Sequence, residues 1–164
     1  LDMTRIEAGV LTLNRERTTV RHIIDDAVST METSLEDHKV EVLVPTSMPD
    51  VDVDPVLMGQ VLINLLDNAV RHAPANSVIT VKGERRGHEV VMIVADTGPG
   101  VPVSDRATIF DRFVSLGTGG RAGLGLTIAK TFVEAHGERV WYEEVTGGGA
   151  RFVVSLPVAP GAER

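Results

Sequence analysis

Cysteine is absent from the 164 residues of this chain, and rings are scarce, with four Phe, one Tyr and one Trp. The lack of cysteine excludes disulfide bonds and thiolate metal sites, and it fits a reducing cytoplasm. Because aromatic residues are few, the core must consist mainly of Val, Leu, Ile and Ala. No apolar run approaches the roughly 18–20 residues that span a bilayer, and no signal-peptide pattern opens the chain. We therefore expect a soluble domain.

Basic residues are also in deficit, with 16 Lys and Arg against 23 Asp and Glu and a net charge of −7. Binding along DNA or RNA needs a basic face, so this balance disfavours a nucleic-acid partner. An anionic ligand would have to be held by local donors rather than by the overall field. The length is that of one domain with a substantial core.

Apolar periodicity predicts an α/β (α+β) two-layer sandwich, a mixed sheet of about five strands packed on three helices. Helical spacing predicts helices over 20–31, 56–73 and 124–136, and a short helix from Pro102 to Phe113. Alternation predicts strands at 11–13, 40–44, 51–53, 78–82, 89–95, 139–145 and 151–156. The second strand of the 78–95 pair is almost wholly apolar, which predicts a central position.

The ends of the chain differ from its middle. Residues 1–10 have helical spacing without an N-terminal cap and are predicted to be the end of a preceding helix. The domain itself is expected over 11–158, with a disordered tail at 159–164. The glycine-rich stretch 114–122 is predicted to be a mobile loop.

One predicted helix carries a polar stripe, in which Gln60, Asn64, Asn68 and His72 recur every four residues. Asn is a mediocre helix former, so two of them one turn apart call for an explanation. Amide oxygens coordinate hard cations such as Mg²⁺, and amide NH₂ groups donate to phosphate. The alternative is a solvated face or a buried hydrogen-bond network.

Two glycine-rich segments follow. At 96–100 (DTGPG) an acid ends a buried strand and a tight turn follows, where Asp96 is placed to accept a hydrogen bond from an amine such as adenine N6. An ordinary Asx turn is the alternative. At 119–126 (GGRAGLGL) glycines lead into a helix, where free N–H groups and the helix dipole favour an anion. This segment lacks the Gly-Lys-Ser/Thr of a P-loop, and a flexible linker is the alternative.

Taken together and in order, these segments resemble the catalytic ATP-binding domain of sensor histidine kinases, which belongs to the GHKL (Bergerat-fold) superfamily with DNA gyrase and Hsp90. The matching boxes are 64–72 (NLLDNAVRH), 96–100 (DTGPG), 109–113 (IFDRF), 123–126 (GLGL) and 147–152 (GGGARF). The resemblance covers nearly the whole chain, with 1–10 similar to the end of the dimerisation helix. Residues 54–73 and 108–113 most resemble the potassium-responsive KdpD type.

The resemblance implies roles for individual residues, with ATP and Mg²⁺ as cofactors. Asn68 and Asn64 would coordinate the metal. Asn64 and Arg71 would contact the phosphates, and His72 would lie close to the nucleotide. Asp96 would bind the adenine amine beside the base pocket formed by Gly98, Gly100 and Val101. The lid and phosphate cradle would comprise Phe110, Phe113, Arg121, Gly123, Leu124, Gly125 and Leu126.

The same resemblance implies an external acceptor. Hydrolysing members of the superfamily carry a glutamate base where this chain has Asn64, which cannot take a proton from water, so we expect slow hydrolysis. None of the five histidines has the acidic residue and proline that follow a phospho-acceptor. The expected partners are therefore the protein's own dimerisation domain and a response regulator. The parent protein would be membrane-anchored with this part in the cytoplasm, and the piece alone monomeric.

Four departures from the family pattern leave other functions open. Ser115 stands where an arginine is frequent, and Arg121 replaces a glycine. Ala122 stands where Thr is common, and Ala150 replaces a frequent hydroxyl residue. Arg121 either supplies a cation to the γ-phosphate or is a solvated loop residue. The alternatives to the kinase are a degenerate interaction module without nucleotide and a related ATPase or serine kinase.

Overall fold

The computed structural model describes residues 11–111 and 120–162, without the side chains of 120–124. Its elements are β1 (Glu16–Thr18), α1 (Val20–Thr30), β2 (Lys39–Leu43), β3 (Val51–Val53), α2 (Pro55–His72), β4 (Val78–Arg86), β5 (Glu89–Asp96), α3 (Gly120–Ala135), β6 (Val140–Glu144) and β7 (Ala150–Leu156). A short 3-10 helix covers Val103–Asp105. The five-stranded sheet has the order β2-β4-β5-β7-β6, with β2 and β4 parallel and the other pairs antiparallel. The predicted two-layer α/β fold is confirmed.

The central strand is β5, as predicted. Val90, Met92 and Val94 belong to the main core with the helices, whereas Val91 and Ile93 form a second cluster on the other face of the sheet. Burial on both faces explains why this strand is a continuous apolar run. Its last residue, Asp96, lies opposite Ile79 of β4 and Ala150 of β7.

Each of the first two helices begins at a side-chain cap. Thr19 Oγ1 accepts the N–H of His22 at 3.0 Å, and Asp54 Oδ1 accepts the N–H groups of Val56 and Leu57, both at 3.1 Å. Pro55 then occupies the first turn of α2, where its missing N–H costs nothing. The start of α2 is therefore well determined, which sets the register of its polar stripe against the sheet.

A second, two-stranded sheet is formed by β1 and β3. Its β1 pairs antiparallel with β3, which puts the first strand at Glu16–Thr18 and corrects the predicted strand at 11–13. The strand forms at Glu16–Thr18 because these are the residues that pair with β3. The segment predicted as a disordered tail, 159–164, begins with a buried residue: Ala159 is 1% exposed and its N–H donates to Asp50 O at 2.8 Å.

Two predicted boundaries move. The helix predicted to run from Pro102 to Phe113 is the single 3-10 turn at Val103–Asp105, with turns after it. The last helix begins at Gly120 instead of Leu124, because residues join an existing helix without a new nucleation cost. Residues 1–10 and 112–119, which include Phe113, Ser115 and most of the predicted loop, lie outside the described residues. None of the helices in the described ranges has the length and apolar character to cross a membrane.

Candidate functional site

A cavity of about 400 Å³ opens between the last turns of α2 and the loop that follows β5. Five of the predicted site residues line it, so the fold brings together segments far apart in sequence. The lining residues are Asn68, His72, Asp96, Pro99, Gly100, Val101, Pro102, Val103, Arg106 and Ala150. Polar groups converge on a partly apolar wall, which is the usual character of a small-molecule site.

The carboxylate of Asp96 is the buried acid of this cavity, at 6% exposure. Its Oδ1 accepts the N–H of Gly98 at 2.8 Å, so the Asx turn considered from the sequence is present in addition to the cavity. Burial raises the pKa of Asp96, and the N–H groups of Gly98 and Ala150 offset part of that rise. An ionised Asp96 therefore gains from any further donor that reaches it through the cavity.

Glycines are required where the loop after β5 meets its neighbours. A Cβ on Gly98 would stand 2.5 Å from the carbonyl oxygen of His72, and one on Gly149 would stand 2.3 Å from that of Asp96. Gly149 also has a φ of +103°, and Gly100 has a φ of +78°. The loop thus lies against α2 on one side and against the β6–β7 hairpin on the other.

Asn68 presents a buried oxygen without a partner. The residue is 3% exposed, and its Oδ1 has no hydrogen-bond partner among the described residues. The same holds for Nε2 of His72, one turn further along α2. Buried polar atoms nearly always have a hydrogen-bond partner, so these two unpaired atoms on the cavity wall indicate that the cavity binds a ligand. An amide oxygen suits a hard cation such as Mg²⁺.

The first asparagine of the stripe is engaged differently. Asn64 Nδ2 donates to the carbonyl of Gly125 in α3 at 3.0 Å, and Asn64 Oδ1 accepts from Gln60 Nε2 at 2.8 Å. These contacts tie α2 to α3, so part of the stripe is the internal hydrogen-bond network that the sequence left open. Arg71 donates through Nε to Asp67 Oδ2 at 2.9 Å and stays partly exposed.

Comparison with known proteins decides the family. The model described as "Histidine kinase-, DNA gyrase B-, and HSP90-like ATPase" matches residues 53–160. The chain belongs to this family. Sensor protein KdpD of Clostridium acetobutylicum is 34% identical over 162 residues, which is 96% of this chain and 18% of that protein. KdpD of Escherichia coli K12 is 34% identical with the same two coverages. The chain thus spans about a fifth of the length of these relatives.

Solved structures agree. Full-length ShkA in complex with AMPPNP superposes with a TM-score of 0.85 at 29% identity, covering 97% of this chain and 34% of that one. The mycobacterial sensor histidine kinase MprB gives 0.76 at 28% identity, covering 89% of this chain and 99% of that one. The predicted family and fold are confirmed.

Phe110 and the described side chains of α3 are absent from the lining of this cavity, so their predicted part in the site stays a prediction. Phe110 packs edge-on against Phe152 at 5.9 Å, and its carbonyl accepts Thr127 Oγ1 at 3.3 Å. Leu126 is 1% exposed and belongs to the core. Only the N–H groups in the first turn of a helix lack a partner within the helix. Because α3 begins at Gly120, the N–H groups of Gly125 and Leu126 lie beyond that first turn. The side chains of Arg121 and Leu124, like the whole of Phe113, lie outside the described residues.

Sequence reasoning missed Arg106 and Tyr142. Arg106 lines the cavity, and Tyr142 Oη accepts the N–H of Val101 at 3.3 Å. Neither belongs to a glycine or asparagine box, and each comes from a different element. Tyr142 has only its rarity as a sequence signal, since it is the one tyrosine in the chain, and Arg106 has none.

Proposed function

We propose that this chain binds Mg–ATP in the cavity beside α2 and passes the γ-phosphate to a histidine on a separate dimerisation domain, for relay to a response regulator. The observation that carries the proposal is the buried carboxylate of Asp96 and the unpartnered oxygen of Asn68 on one cavity wall in a chain of this family. These two groups match the two ends of a Mg–nucleotide, an amine donor and a hard cation.

The base end is specified by Asp96. Its carboxylate keeps lone pairs beyond those used by Gly98 and Ala150, and an exocyclic amine can donate to them. A guanine would present a carbonyl oxygen at the corresponding position, which an ionised carboxylate repels. Gly98 and Gly100 let the loop pack against the carbonyl oxygens of His72 and Gly149, and the cavity opens beside this loop. We therefore favour adenine over guanine.

The phosphate end would be held by the C-terminal half of α2. The Asn68 oxygen fits Mg²⁺, whose charge when bound would offset that of the phosphates. On the same helix, Asn64 lies one turn before Asn68, and Arg71 and His72 follow it, with the His72 Nε2 available to the ligand. The first N–H groups of α3, which begins at Gly120, would be the further donors to the phosphates.

A kinase suits these residues better than a hydrolase. Asn64 has no carboxylate, and its amide is held by Gln60 and Gly125, so it cannot act as a general base toward water. The acceptor must be external as well. His136 is buried at 3% exposure, and no histidine of the chain has the sequence context of a phospho-acceptor. We infer that bound ATP persists until the dimerisation domain presents its histidine.

Calorimetric titration of Mg–ATP into wild type and Asn68→Ala tests the binding step. We expect saturable binding by wild type, at least about tenfold weaker binding by the variant, and slow hydrolysis by both. Incubation with labelled ATP and a separately supplied histidine-bearing dimerisation domain should label that domain and not this chain. Absence of saturable binding to wild type would leave the degenerate interaction module. Rapid hydrolysis without transfer would favour the ATPase.

A further inference from the structure

We propose that Tyr142 and Arg106 are positioning residues that hold the base end of the cavity in its binding shape and so set affinity for the adenine ring. We call this pair the base clasp. The inference rests on the proposed function, because it assigns these two side chains to the nucleotide site. Neither residue lies in the boxes from which the family was identified.

Tyr142 joins two loops through one hydroxyl group. Its Oη accepts the N–H of Val101 at 3.3 Å and donates to the carbonyl of Gly149 at 3.3 Å. Val101 belongs to the loop after β5, and Gly149 to the hairpin between β6 and β7. A single side chain on the edge strand β6 thus connects both walls that flank Asp96.

Arg106 holds the other backbone group of the same residue. Its Nε donates to the carbonyl of Val101 at 2.9 Å, and its guanidinium carbon lies 5.2 Å from the centre of the Tyr142 ring. Glu144 approaches the guanidinium at 3.6 Å. Both backbone polar groups of Val101 are therefore satisfied by side chains rather than by a strand or helix. Val101 itself is 5% exposed and lines the cavity.

The two loops that the base clasp joins are in close contact with each other. A Cβ on Gly100 would lie 2.7 Å from the Gly149 carbonyl oxygen and 3.2 Å from Tyr142 Oη, so the two loops touch at the point where Tyr142 joins them. The ring of Tyr142 is held in turn by an edge contact with Phe152 at 5.6 Å. Phe152 is 2% exposed, so this support is part of the core.

Pre-organisation is the consequence for binding. A loop that is already held in the bound shape loses little conformational freedom when the ligand arrives, which improves affinity without a direct contact. Removal of the clasp should weaken binding of the base whatever is attached to it. Removal of Asn68, at the other end, should weaken binding of the phosphates alone. The two ends of the site are separable by the choice of ligand.

The experiment compares adenosine with Mg–ATP. Calorimetric titrations are run on wild type, Tyr142→Phe, Arg106→Lys and Asn68→Ala. We expect Tyr142→Phe, which keeps the ring, and Arg106→Lys, which keeps the charge, to weaken adenosine and Mg–ATP by the same factor, about threefold to tenfold. Asn68→Ala should weaken Mg–ATP and leave adenosine unchanged.

Trp141→Phe is the matched control. Trp141 neighbours Tyr142 on β6 and also donates one side-chain hydrogen bond, to Glu143 at 2.9 Å, but it packs on the second cluster at the other face of the sheet. It should leave both affinities unchanged. Urea titration of each variant reports the free energy of unfolding, and the loss in affinity should persist at temperatures where every variant is fully folded.

The outcomes are distinct. Unchanged adenosine affinity in Tyr142→Phe and Arg106→Lys, or an effect on Mg–ATP alone, overturns the base clasp while leaving the proposed function intact. An equal loss in Trp141→Phe also overturns it, since the effect would then come from the strand. Wild type that binds neither ligand overturns the proposed function and the clasp with it.

Discussion

Nε2 of His136, at the end of α3, accepts a hydrogen bond of 3.1 Å from the backbone N–H of Asp54, the residue that caps α2. Nδ1 of the same ring lies 2.7 Å from the carbonyl of Phe132, which places the proton on Nδ1. A neutral imidazole satisfies both contacts and an imidazolium only one. Burial lowers the pKa of His136, and Arg15 acts in the same direction. The hydrogen bond to the Phe132 carbonyl opposes this shift most, followed by the charges of Asp54 and Glu138.

Stability should therefore fall as the pH drops below the ordinary histidine pKa of about 6.5. The unfolded chain takes up a proton there that the folded His136 resists, so the free energy of unfolding rises with pH across this window. Urea titrations between about pH 7.5 and 5.5 measure the slope. His136→Gln should be less stable by about 1–3 kcal/mol at the upper pH and show a smaller slope. His88→Gln, at an exposed position, should keep the wild-type slope.

Asp96→Asn should separate binding from stability. Burial raises the pKa of Asp96, so the ionised carboxylate is disfavoured in the folded state, and its replacement should leave the free energy of unfolding at pH 7 unchanged or higher. Adenosine should bind at least about tenfold more weakly, because an acceptor with charge is lost. Asp26→Asn, at an exposed side-chain contact with His22, is the control for the loss of one negative charge. A marked loss of stability in Asp96→Asn would contradict the assignment.

Two neighbouring glycines provide a matched pair. Gly148 and Gly149 have φ values of +99° and +103°, so alanine is strained at both. A Cβ meets nothing within 4 Å at Gly148 but lies 2.3 Å from the Asp96 carbonyl oxygen at Gly149. Gly148→Ala should cost about 1–2 kcal/mol, as backbone strain alone does. Gly149→Ala should cost more and also weaken adenosine binding. Equal costs would mean that the hairpin does not press on the loop.

Glu143 is the acceptor for two side chains, Arg86 and Trp141. It accepts hydrogen bonds from Arg86 at 2.6 and 3.2 Å and from Trp141 at 2.9 Å. The hydrogen bond from Arg86 is the main reason why the pKa of Glu143 falls from 4.5 to about 2. The stabilisation is present above pH 4.5 and is lost as the pH falls toward 2.

Glu143→Gln should lower the free energy of unfolding by about 1–2 kcal/mol at neutral pH, since the pair is partly exposed. The difference from wild type should shrink when the urea titration is repeated at about pH 2.5. Glu32→Gln, an exposed substitution on the other side of the molecule's sheet, is the control for charge and should change little at either pH. A difference that stays constant with pH would show that the carboxylate charge is unimportant.

The helices and the central strand could be predicted because each rests on a local signal. Asp54 and Pro55 mark the start of α2, and the apolar run in β5 marks its burial. The short strand β1 could not, because Glu16–Thr18 is polar and forms only where β3 provides a partner. The start of α3 was not predicted for a related reason. Glycine disfavours helix, but the packed residues further along α3 outweigh that preference.

The site was predictable where one residue type is chemically necessary. Asp96, Asn68 and the close-packed Gly98 were identified from the sequence and line or adjoin the same cavity. Arg106 and Tyr142 were not, because their role depends on Val101, whose backbone groups they satisfy from two separate elements. Such long-range side-chain to backbone contacts leave no periodicity in the sequence.

The hydrogen bond from Asn64 to the Gly125 carbonyl has an evolutionary consequence. A glutamate at this position would supply the base that hydrolysing relatives possess, but a carboxylate cannot donate to a carbonyl oxygen. The exchange would gain a base and at the same moment place two acceptors against each other between α2 and α3. Replacement of this one residue is therefore a poor route from the proposed phosphate donor to a hydrolase, and compensation near Gly125 would have to come with it.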